Sequence, residues 1–384
     1  MPGLRKTTGI KQRALVGRLL ALLKIDSPSR REGAFAAYVG GALDEIGILH
    51  STDDAARKIG GETGNIIARL PGNADAPPLL INAHLDTVVN ATGVKPRISA
   101  GVIRPGSGTA LGADDKAAVA QILEVLRVLL AEGRPRPPLE IVFTVAEEVG
   151  LSGVRALNPK LLKAKLGITL DADGPVGRAV IGAPGHALLK ATIKGRAAHA
   201  GVAPEKGVNA IQIAAQAISR MKLGRLDEET TANIGVISGG TAMNVVPARC
   251  ELTGEARSHD EGKLTRQIEE MIFHLHQAAA EGGGSLEVEV EREFAAFRLS
   301  EQAPPLRLAR AAARRIGLRL KPFLSGGGSD SSTFNELGIP TASLSVGYLN
   351  PHSEQEQIAV SQLVRGAEFL LAVIEEAAQR RLSP

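Results

Sequence analysis

Aromatic residues are scarce in this 384-residue chain: they make up 3% of it, and tryptophan is absent. Leu, Val, Ile and Ala must therefore form most of the hydrophobic core. The chain also has a single cysteine, Cys250, which excludes an internal disulfide and is typical of proteins from a reducing compartment. These shortages indicate a core held by aliphatic packing, in a cytoplasmic protein.

Long runs of one charge sign and long apolar runs are missing as well. The 45 basic and 41 acidic residues are interspersed, and no basic stretch alternates with aromatic residues, so we do not expect nucleic-acid binding despite the net charge of +4. The apolar run ALVGRLLALLKI at 14–25 is interrupted by Arg18 and is followed by no cleavage-like site. It predicts an amphipathic helix, and neither a signal peptide nor a membrane span. The charged ends at 4–13 and 379–384 are predicted to be solvated.

The pattern of apolar residues predicts an α/β fold in most of the chain. A length of 384 residues exceeds what one hydrophobic core usually serves, so we expect two domains. Strand-like apolar runs alternate with helical patterns, which indicates a mostly parallel sheet flanked by helices. Ser29, with Glu32 three residues later, predicts a capping box at the start of an early helix. The predicted strands lie at 65–70, 77–83, 139–145, 165–170 and 341–346, and the predicted helices at 30–48, 115–133, 304–317 and 360–380.

A different pattern occupies about residues 186–297. Its predicted elements follow the order β-α-β-β-α-β, which is the order of the split-βαβ, ferredoxin-like fold. The elements lie at 186–195, 207–221, 231–240, 245–257, 260–284 and 285–292. We therefore expect a discontinuous α/β domain of residues 1–185 and 298–384, and an inserted α+β domain of residues 186–297.

Side chains that bind metals or carry protons follow several of the predicted strands. In open α/β sheets, ligands bind at the carboxyl ends of the strands, so we expect these side chains to meet in one crevice. Asp114 and Asp115, which precede the long helix at 115–133, add a further contribution. The side chains at the strand ends are His84, Asp86, Glu147, Glu148, Asp171, Asp173 and His352.

So many carboxylates in one crevice require positive charge, because burying like charges together is costly. Few lysines or arginines occur at these element ends, and Lys116 is the exception. Bound divalent cations are therefore the simplest source of the positive charge. Two histidines with several carboxylates suit Zn²⁺, with Mn²⁺ or Co²⁺ as alternatives. Three ligands and a water would hold one ion. Five ligands with a spare glutamate favour two ions that share a bridging ligand.

Spacing along the strands suggests further roles. Asp86 lies two residues after His84 and so faces the same way, which suits it to orient the imidazole ring. Adjacent glutamates cannot easily serve one ion together. One of Glu147 and Glu148 is therefore expected to bind metal, and the other to act as a general base.

Each of these features also has a simpler explanation. Asp114 or Asp115 could cap the helix that follows, and Glu147 with Glu148 could form a solvated loop pair. The segment SGGGSDSS at 325–332 could be a loop that caps the next helix. Polar side chains occur at five ends of strands or helices, and a separate explanation would be needed for each end. One shared site accounts for all five better.

Six sequence motifs together resemble the co-catalytic di-zinc exopeptidases, a family that includes aminoacylases, glutamate carboxypeptidase and peptidase T. The resemblance covers nearly the whole chain, including the inserted domain, which corresponds to the family's lid. GADDK, the aspartate of LDADG and the GGGSD loop are most similar to the peptidase T, or tripeptide aminopeptidase, branch. The motifs are HLDTV, GADDKAAVA, AEEVGLSG, LDADGPVG, GRAAHAGVAPEKGVNAI and NPHSEQE.

The resemblance implies a role for each candidate residue and a cis peptide bond between Asp114 and Asp115. Asp114 would bridge the two metal ions and Glu147 would be the general base. His84 and Asp171 would bind one metal ion, and Glu148 and His352 the other. Asp86 would orient the His84 ring. In the lid, the residues that would bind the substrate are His199, Asn244 and Arg257.

The activity implied by the resemblance is that of a metal-dependent exopeptidase. It would use two zinc ions, or cobalt or manganese, and a metal-activated water to cleave the amino-terminal peptide bond of short peptides. The lid at 186–297 is expected to pair two subunits into a homodimer. Ser258 stands where close relatives tend to have Asp, and an expected arginine near 325 is missing. These departures concern the substrate, so an N-acyl amino acid amidohydrolase or a carboxypeptidase-like enzyme with the same chemistry is the alternative.

Overall fold

The computed structural model describes residues 9–106 and 108–379. The predicted solvated ends lie partly outside this range, at 4–8 and 380–384. Within the described part of the chain, none of the helices has the length and hydrophobicity needed to cross a membrane.

Ten α-helices are present among the described residues, together with three short 3₁₀ helices at Val89–Ala91, Pro159–Leu161 and Pro204–Lys206. The α-helices are α1 Gln12–Leu22, α2 Gly33–Glu45, α3 Ala55–Ile59, α4 Ala113–Ala131, α5 Ser152–Ala156, α6 Ala210–Arg220, α7 Glu261–Glu281, α8 Pro304–Arg315, α9 Asp330–Glu336 and α10 Val360–Ala377.

The strands of the described residues form three sheets. In chain order they are β1 Leu49–Thr52, β2 Ile66–Leu70, β3 Leu79–His84, β4 Arg97–Ser99, β5 Val102–Arg104, β6 Leu139–Thr144, β7 Gly167–Ala172, β8 Arg178–Ala183, β9 Gly185–Lys194, β10 Gly224–Arg225, β11 Thr230–Gly239, β12 Arg249–Ser258, β13 Ser285–Phe294, β14 Phe297–Arg298, β15 Lys321–Leu324, β16 Thr341–Ser345, β17 Tyr348–Leu349 and β18 Gln357–Ala359.

Two compact units make up the chain. The first contains the residues up to Ile181, Arg298–Ser325, and the residues from Ser329 onward. The second contains Gly182–Phe297 together with Gly326–Gly328.

The large sheet of the first unit has the strand order β1-β2-β6-β3-β7-β16-β8-β14, with β15 paired to β8. Its central strands β6, β3, β7 and β16 are parallel, while β1, β2 and β8 pair antiparallel nearer the edges. The predicted α/β fold with a mostly parallel sheet is therefore confirmed. A separate small sheet has the order β17-β18-β5-β4.

Burial on both faces of the sheet explains the continuous apolar strands. All six residues of β3 and all six of β6 are buried. Helix α4 is buried over nearly its whole length and packs with α10 and α1, which makes it a core helix without a polar face. Each Leu, Val or Ile removed from water in this way contributes about 1.5–3 kcal/mol.

The second unit has the predicted split-βαβ arrangement. Its sheet is antiparallel and has the order β10-β11-β12-β9-β13, with β13 at one edge. Helices α6 and α7 bury their apolar sides against this sheet in a core of their own. The long strands β9 and β12 run antiparallel in register over their full length, from Gly185 opposite Ser258 to Lys194 opposite Arg249.

Two predicted helix caps have opposite outcomes. The capping box of Ser29 and Glu32 is wrong, because the Ser29 hydroxyl donates to Asp86 Oδ2 at 2.6 Å and α2 begins without a side-chain cap. As a cap, the Ser29 hydroxyl would accept a backbone N–H at the start of the helix. Donating to a buried carboxylate far along the chain is the stronger interaction. Ser329 does cap α9, which is the simpler explanation given above for the segment at 325–332.

Candidate metal centre

The first unit brings the sequence-predicted ligands to one edge of its sheet. Strands β3, β6, β7 and β16 lie side by side in the parallel centre, so their carboxyl ends meet there. His84 is the last residue of β3 and Asp171 belongs to the end of β7. Glu147 and Glu148 follow β6, and His352 lies in the loop between β17 and β18.

The carboxylate of Asp114 lies between two groups of potential metal ligands. Its Oδ1 is 3.2 Å from His84 Nε2, which is also 3.8 Å from Asp171 Oδ1. Its Oδ2 is 3.3 Å from His352 Nε2, which in turn is 2.9 Å from Glu148 Oε1. Within each group the ligand atoms all lie within 4.8 Å of one another. Asp114 thus presents one oxygen to each group.

The start of α4 has an unusual backbone that orients Asp114. The peptide bond between Asp114 and Asp115 is cis, as the resemblance implied, and both residues have non-helical dihedral angles. Neither side chain caps the helix. Instead, Asp115 Oδ2 accepts the backbone N–H of His84 at 3.2 Å, so both aspartates are directed toward the end of β3.

The electrostatics of the site reflect crowded negative charge. Burial raises the pKa of Asp171 and of Glu147 well above the ordinary range of carboxyl groups, and neighbouring carboxylates raise both further. Burial also raises the pKa of Glu148, although its hydrogen bond with His352 opposes this. Hydrogen bonds to Asp114 and Glu148 raise the pKa of His352 to about 10.

The two histidines favour the ionised form of Asp114. Burial by itself would raise the pKa of Asp114, but hydrogen bonds from His352 and His84 lower it below its ordinary value. Burial lowers the pKa of His84, yet hydrogen bonds to Asp114 and Asp86 raise it well above the usual value. The two imidazoles therefore occupy the positions where positive charge is most favourable.

The donor set fits two divalent cations. Each group offers one imidazole nitrogen and two carboxylate oxygens, which are ligands that Zn²⁺, Mn²⁺ and Co²⁺ accept. Among the described residues, the ion pairs of these carboxylates involve only His84 and His352. Lys116, the lysine nearest in sequence, points elsewhere and donates to the Ile25 carbonyl at 2.5 Å. In the part of the chain that the structure describes, these carboxylates thus have no lysine or arginine partner, and two cations sharing Asp114 would supply the missing positive charge.

Asp86 contacts both the histidine ligand and the glutamate loop. His84 Nδ1 lies 3.0 Å from the Asp86 carbonyl oxygen and 3.4 Å from Asp86 Oδ1. The Asp86 carboxylate also accepts the backbone N–H of Glu147 at 2.9 Å and of Glu148 at 3.1 Å. Asp86 therefore meets the His84 ring through its backbone carbonyl, with its carboxylate nearby, and the buried carboxylate also holds the glutamate loop; only the contact with the ring was expected from the sequence.

Glu147 and Glu148 differ in their surroundings. Glu148 contacts His352, whereas no hydrogen-bond partner of the Glu147 carboxylate is found in the part of the chain that the structure describes. The Glu147 residue is only 9% exposed. It follows Ala146, whose φ of 52° lies in the left-handed region, which few residues other than glycine adopt. The turn separates the two adjacent side chains into one that can bind a metal ion and one that remains free.

Several residues lie near the site although nothing in the sequence indicated that they belong there. Ser29 supports Asp86, and Glu32 Oε1 accepts the backbone N–H of Ala146 at 2.9 Å, just before the glutamate pair. Tyr348 donates its hydroxyl proton to Asp171 Oδ1 at 3.3 Å. Their partners are 57, 114 and 177 positions away along the chain, so local patterns do not reveal these contacts.

The three substrate-binding candidates all lie in the second unit, where two of them are neighbours. His199 and Val245 form an isolated β-bridge, and the N–H of Ala200 donates to the Asn244 carbonyl at 2.9 Å. His199 and Asn244 are both exposed. They follow β9 and precede β12 at the same end of these paired strands.

Arg257 lies at the other end of the same strands, opposite His186. It is separated from Arg249 by eight positions of β12, or roughly 26 Å at the usual rise of a strand. Its guanidinium donates to both carboxylate oxygens of Glu255, at 2.9 and 3.3 Å. Within one unit, therefore, Arg257 does not belong to the same cluster as His199 and Asn244.

Comparison with known proteins matches two family models to this chain, and the two matches overlap at residues 181–227. The family model "Peptidase dimerisation domain" matches residues 181–283, which nearly coincide with the second unit. The model "Peptidase family M28" matches residues 65–227, which include His84, Asp114, Glu147, Glu148 and Asp171.

Several full-length relatives are similar to this chain. A solved aminopeptidase PepT from Bacillus cereus is 40% identical, covers 96% of this chain and 100% of its own, and has a TM-score of 0.86. A solved tripeptidase from Staphylococcus aureus is 39% identical, with coverage of 97% and 100% and a TM-score of 0.91. The uncharacterized protein YqjE of Bacillus subtilis is 39% identical over 96% of this chain and all of its own length. The chain belongs to the metallopeptidase family of co-catalytic two-metal exopeptidases, close to peptidase T.

Proposed function

We propose that this protein is a metal-dependent aminopeptidase that removes the amino-terminal residue from short peptides such as tripeptides. The observation that carries the proposal is the position of Asp114, whose two carboxylate oxygens face two separate His-carboxylate groups. Solved relatives at about 40% identity are named as an aminopeptidase and a tripeptidase.

In this proposal two zinc ions, or cobalt or manganese, occupy the two groups of ligands. His84 and Asp171 would hold one ion, Glu148 and His352 the other, and Asp114 both. Such ions supply Lewis acidity, which polarises a peptide carbonyl and makes a water molecule more acidic. Asp86 would keep the His84 ring turned with Nε2 toward the ion.

Glu147 is the proposed proton carrier. Its carboxylate is buried and free of an ion pair among the described residues, and burial raises its pKa well above the ordinary value. A raised pKa suits a group that must accept a proton from the attacking water and then release it to the leaving amine. Glu148, by contrast, is engaged with His352.

The proposed contacts to the peptide come from the second unit. Arg257 is suited to a peptide carboxylate, because the guanidinium binds a carboxylate through two parallel hydrogen bonds. His199 is proposed to polarise the scissile carbonyl, with Asn244 beside it. An extended tripeptide spans only about 10 Å. Since His199 and Arg257 lie farther apart than that within one unit, we propose that one peptide meets His199 of one subunit and Arg257 of another.

This arrangement assigns a task to each unit. Residues 1–185 and 298–384 would form the catalytic domain, and residues 186–297 a lid that joins two subunits into a homodimer. The match of residues 181–283 to a peptidase dimerisation model supports the second assignment. A cytoplasmic location is proposed as well, and cell fractionation would test it.

The activity is tested with a peptide panel. Purified protein loaded with zinc, cobalt or manganese is incubated with free tripeptides, the same peptides blocked at the amino end, and the same peptides amidated at the carboxyl end. We expect free tripeptides to release their first residue, and amino-blocked peptides to remain intact. Amidated peptides should be cleaved poorly, since they lack the carboxylate that Arg257 would bind.

The same panel separates the alternative substrates. Release of the acyl group from N-acyl amino acids would identify an amidohydrolase, and removal of the last residue would identify a carboxypeptidase. Either result would contradict the aminopeptidase proposal while leaving the metal chemistry in place.

A further inference from the structure

The Glu356 side chain is buried beside the metal centre without being one of its ligands. The residue is 1% exposed, and its carboxylate accepts three backbone hydrogen bonds from one short segment. Oε2 accepts the N–H groups of Leu111 and Gly112, both at 2.8 Å, and Oε1 accepts the N–H of Asp114 at 3.0 Å.

These bonds fix the backbone that presents Asp114. Gly112 has a φ of 72°, and its left-handed conformation lets successive N–H groups of the segment point toward one place. A carboxylate suits that place, since its two oxygens accept several hydrogen bonds and neither can donate when ionised. The amide of Asp114 itself is bonded, so the position of its Cα and the direction of its side chain depend on Glu356.

Glu356 also connects this backbone to the second metal group. It lies four residues after His352, and its own N–H donates to the Ser353 carbonyl at 3.0 Å. The loop that carries His352 therefore also provides the carboxylate that binds the backbone N–H groups of the Asp114 segment. The Glu356 side chain therefore ties the backbone of Asp114 to the loop that carries His352.

We propose that Glu356 is a positioning residue that sets the orientation of the Asp114 carboxylate and thereby controls both metal sites at once. The inference rests on the proposed function in that it takes Asp114 as the ligand common to two ions. It differs from a simple structural role, in which Glu356 would only neutralise backbone groups at the start of α4. A structural role alone would change stability without changing how the ions are held.

The test compares Glu356→Gln with Glu354→Gln, which removes the same charge from an exposed position of the same loop. The glutamine has the same length but replaces one acceptor oxygen with an amide nitrogen, which would face a backbone N–H as a second donor. Metal affinities are measured by competition with a chelator. The coordination of both sites is followed by the absorption and EPR spectra of the cobalt-loaded proteins, and folding by circular dichroism.

We expect Glu356→Gln to bind both metal equivalents about 10- to 100-fold more weakly, which is the usual effect of losing an outer-shell partner. Its cobalt spectra should change, including any magnetic coupling between the two ions. Glu354→Gln should match the wild type. Glu356→Asp, which keeps the charge but shortens the side chain, should weaken both equivalents in the same way and serves if the glutamine variant does not fold.

The outcomes distinguish this inference from the proposed function. Failure of the wild type to bind two ions would contradict the proposed function. Two ions in the wild type, with unchanged affinities and spectra in the folded Glu356 variants, would overturn the inference alone. A loss of thermal stability without a change in metal binding, or a loss confined to one site, would also overturn it.

Discussion

The Asp86 carboxylate accepts the backbone N–H of Glu147 at 2.9 Å. Asp86 therefore contacts more than the His84 ring, because it also holds the backbone from which the Glu147 and Glu148 side chains extend. The hydroxyl of Ser29 and the N–H of Glu148 complete its hydrogen bonds, so the side chain is fully enclosed by donors. Burial by itself raises the pKa of Asp86, but its interaction with His84, followed by the hydrogen bonds from Ser29 and the Glu147 N–H, lowers it below its ordinary value.

Asp86→Asn is therefore expected to damage metal binding and turnover together. The amide nitrogen would face N–H groups that need an acceptor, and the His84 ring would lose its anionic neighbour. We expect metal affinity to fall about 10- to 100-fold. Chelator competition measures this, with Asp173→Asn as the control, because Asp173 is an exposed aspartate near the same sheet edge. Equal affinities of the two variants would contradict the role of Asp86.

Glu147→Gln should retain the fold and both metal ions while lowering kcat. The amide cannot accept a proton from water, and loss of a general base usually reduces the rate about 10²- to 10⁴-fold. Steady-state kinetics and elemental analysis of the same preparation provide the measurement. Glu148→Gln is the matched comparison, since it should weaken one metal equivalent instead. Near-normal turnover by Glu147→Gln would show that another group carries the proton.

Removal of single ligands should separate the two sites. His84→Ala and His352→Ala are each expected to lose one equivalent of metal, whereas Asp114→Ala should lose both, because Asp114 alone among the described residues belongs to both groups. Elemental analysis after dialysis gives the stoichiometry. Two retained equivalents in His84→Ala, or a single loss in Asp114→Ala, would be incompatible with the proposed ligand scheme.

His186 makes the stability of the second unit depend on pH. Burial by itself lowers the pKa of His186, but hydrogen bonds to Glu255 at 2.8 Å and Glu293 at 2.6 Å raise it above its usual value, against the opposing charge of Arg257. A group with a raised folded-state pKa stabilises the protein fully below its unfolded-state pKa. That stabilisation is lost as the pH rises through the folded-state value.

His186→Gln should therefore lower the unfolding temperature more at pH 6 than at pH 9. The expected loss of stability at pH 6 is about 2 kcal/mol, as for hydrogen bonds to charged groups. Thermal unfolding across this pH range tests it, and His276→Gln on the exposed side of α7 is the control. A difference that stays constant or grows with increasing pH would rule out the protonated His186 as the source.

Mixed subunits test whether His199 serves the active site of its own chain or that of a partner. Glu147→Gln and His199→Ala should each be inactive alone. If His199 acts on the active site of its partner, a heterodimer of the two contains one site with both residues intact, and activity should reach about a quarter of the wild type after random mixing. This value follows from half of the dimers being mixed, with one working site in each. Inactive mixtures of subunits that have exchanged would place both residues in the same chain.

Hydrophobic periodicity and the alternation of strands with helices along the chain were sufficient to predict the fold class. The apolar runs of β3, β6, β7 and β16 are continuous because these strands are buried on both faces, and this feature is visible in a local stretch of residues. Parallel strands also end at one edge of a sheet, so the side chains that follow them are brought together by topology. For that reason the cluster around His84, Asp171 and His352 could be expected from the sequence.

The partners of buried polar groups were settled by tertiary contacts. Ser29 looked like a local helix cap but donates to Asp86, and Glu356, which no sequence pattern singled out, accepts the backbone N–H of Asp114. A buried donor or acceptor takes whichever partner the fold places beside it, since leaving it unpaired is costly. Such partners are tens or hundreds of positions away, and no local pattern encodes them.

The sequence by itself thus determined the order of the elements, the split into an α/β part and a split-βαβ part, and the types of side chain at the strand ends. Only the tertiary structure decided that Asp86 and Glu356 hold the backbone of the site, and that His199 and Arg257 lie at opposite ends of β9 and β12. The physical reason is that apolar burial follows the local period of a helix or strand. Hydrogen bonds and ion pairs, in contrast, depend on distances between segments that are set only when the whole chain has packed.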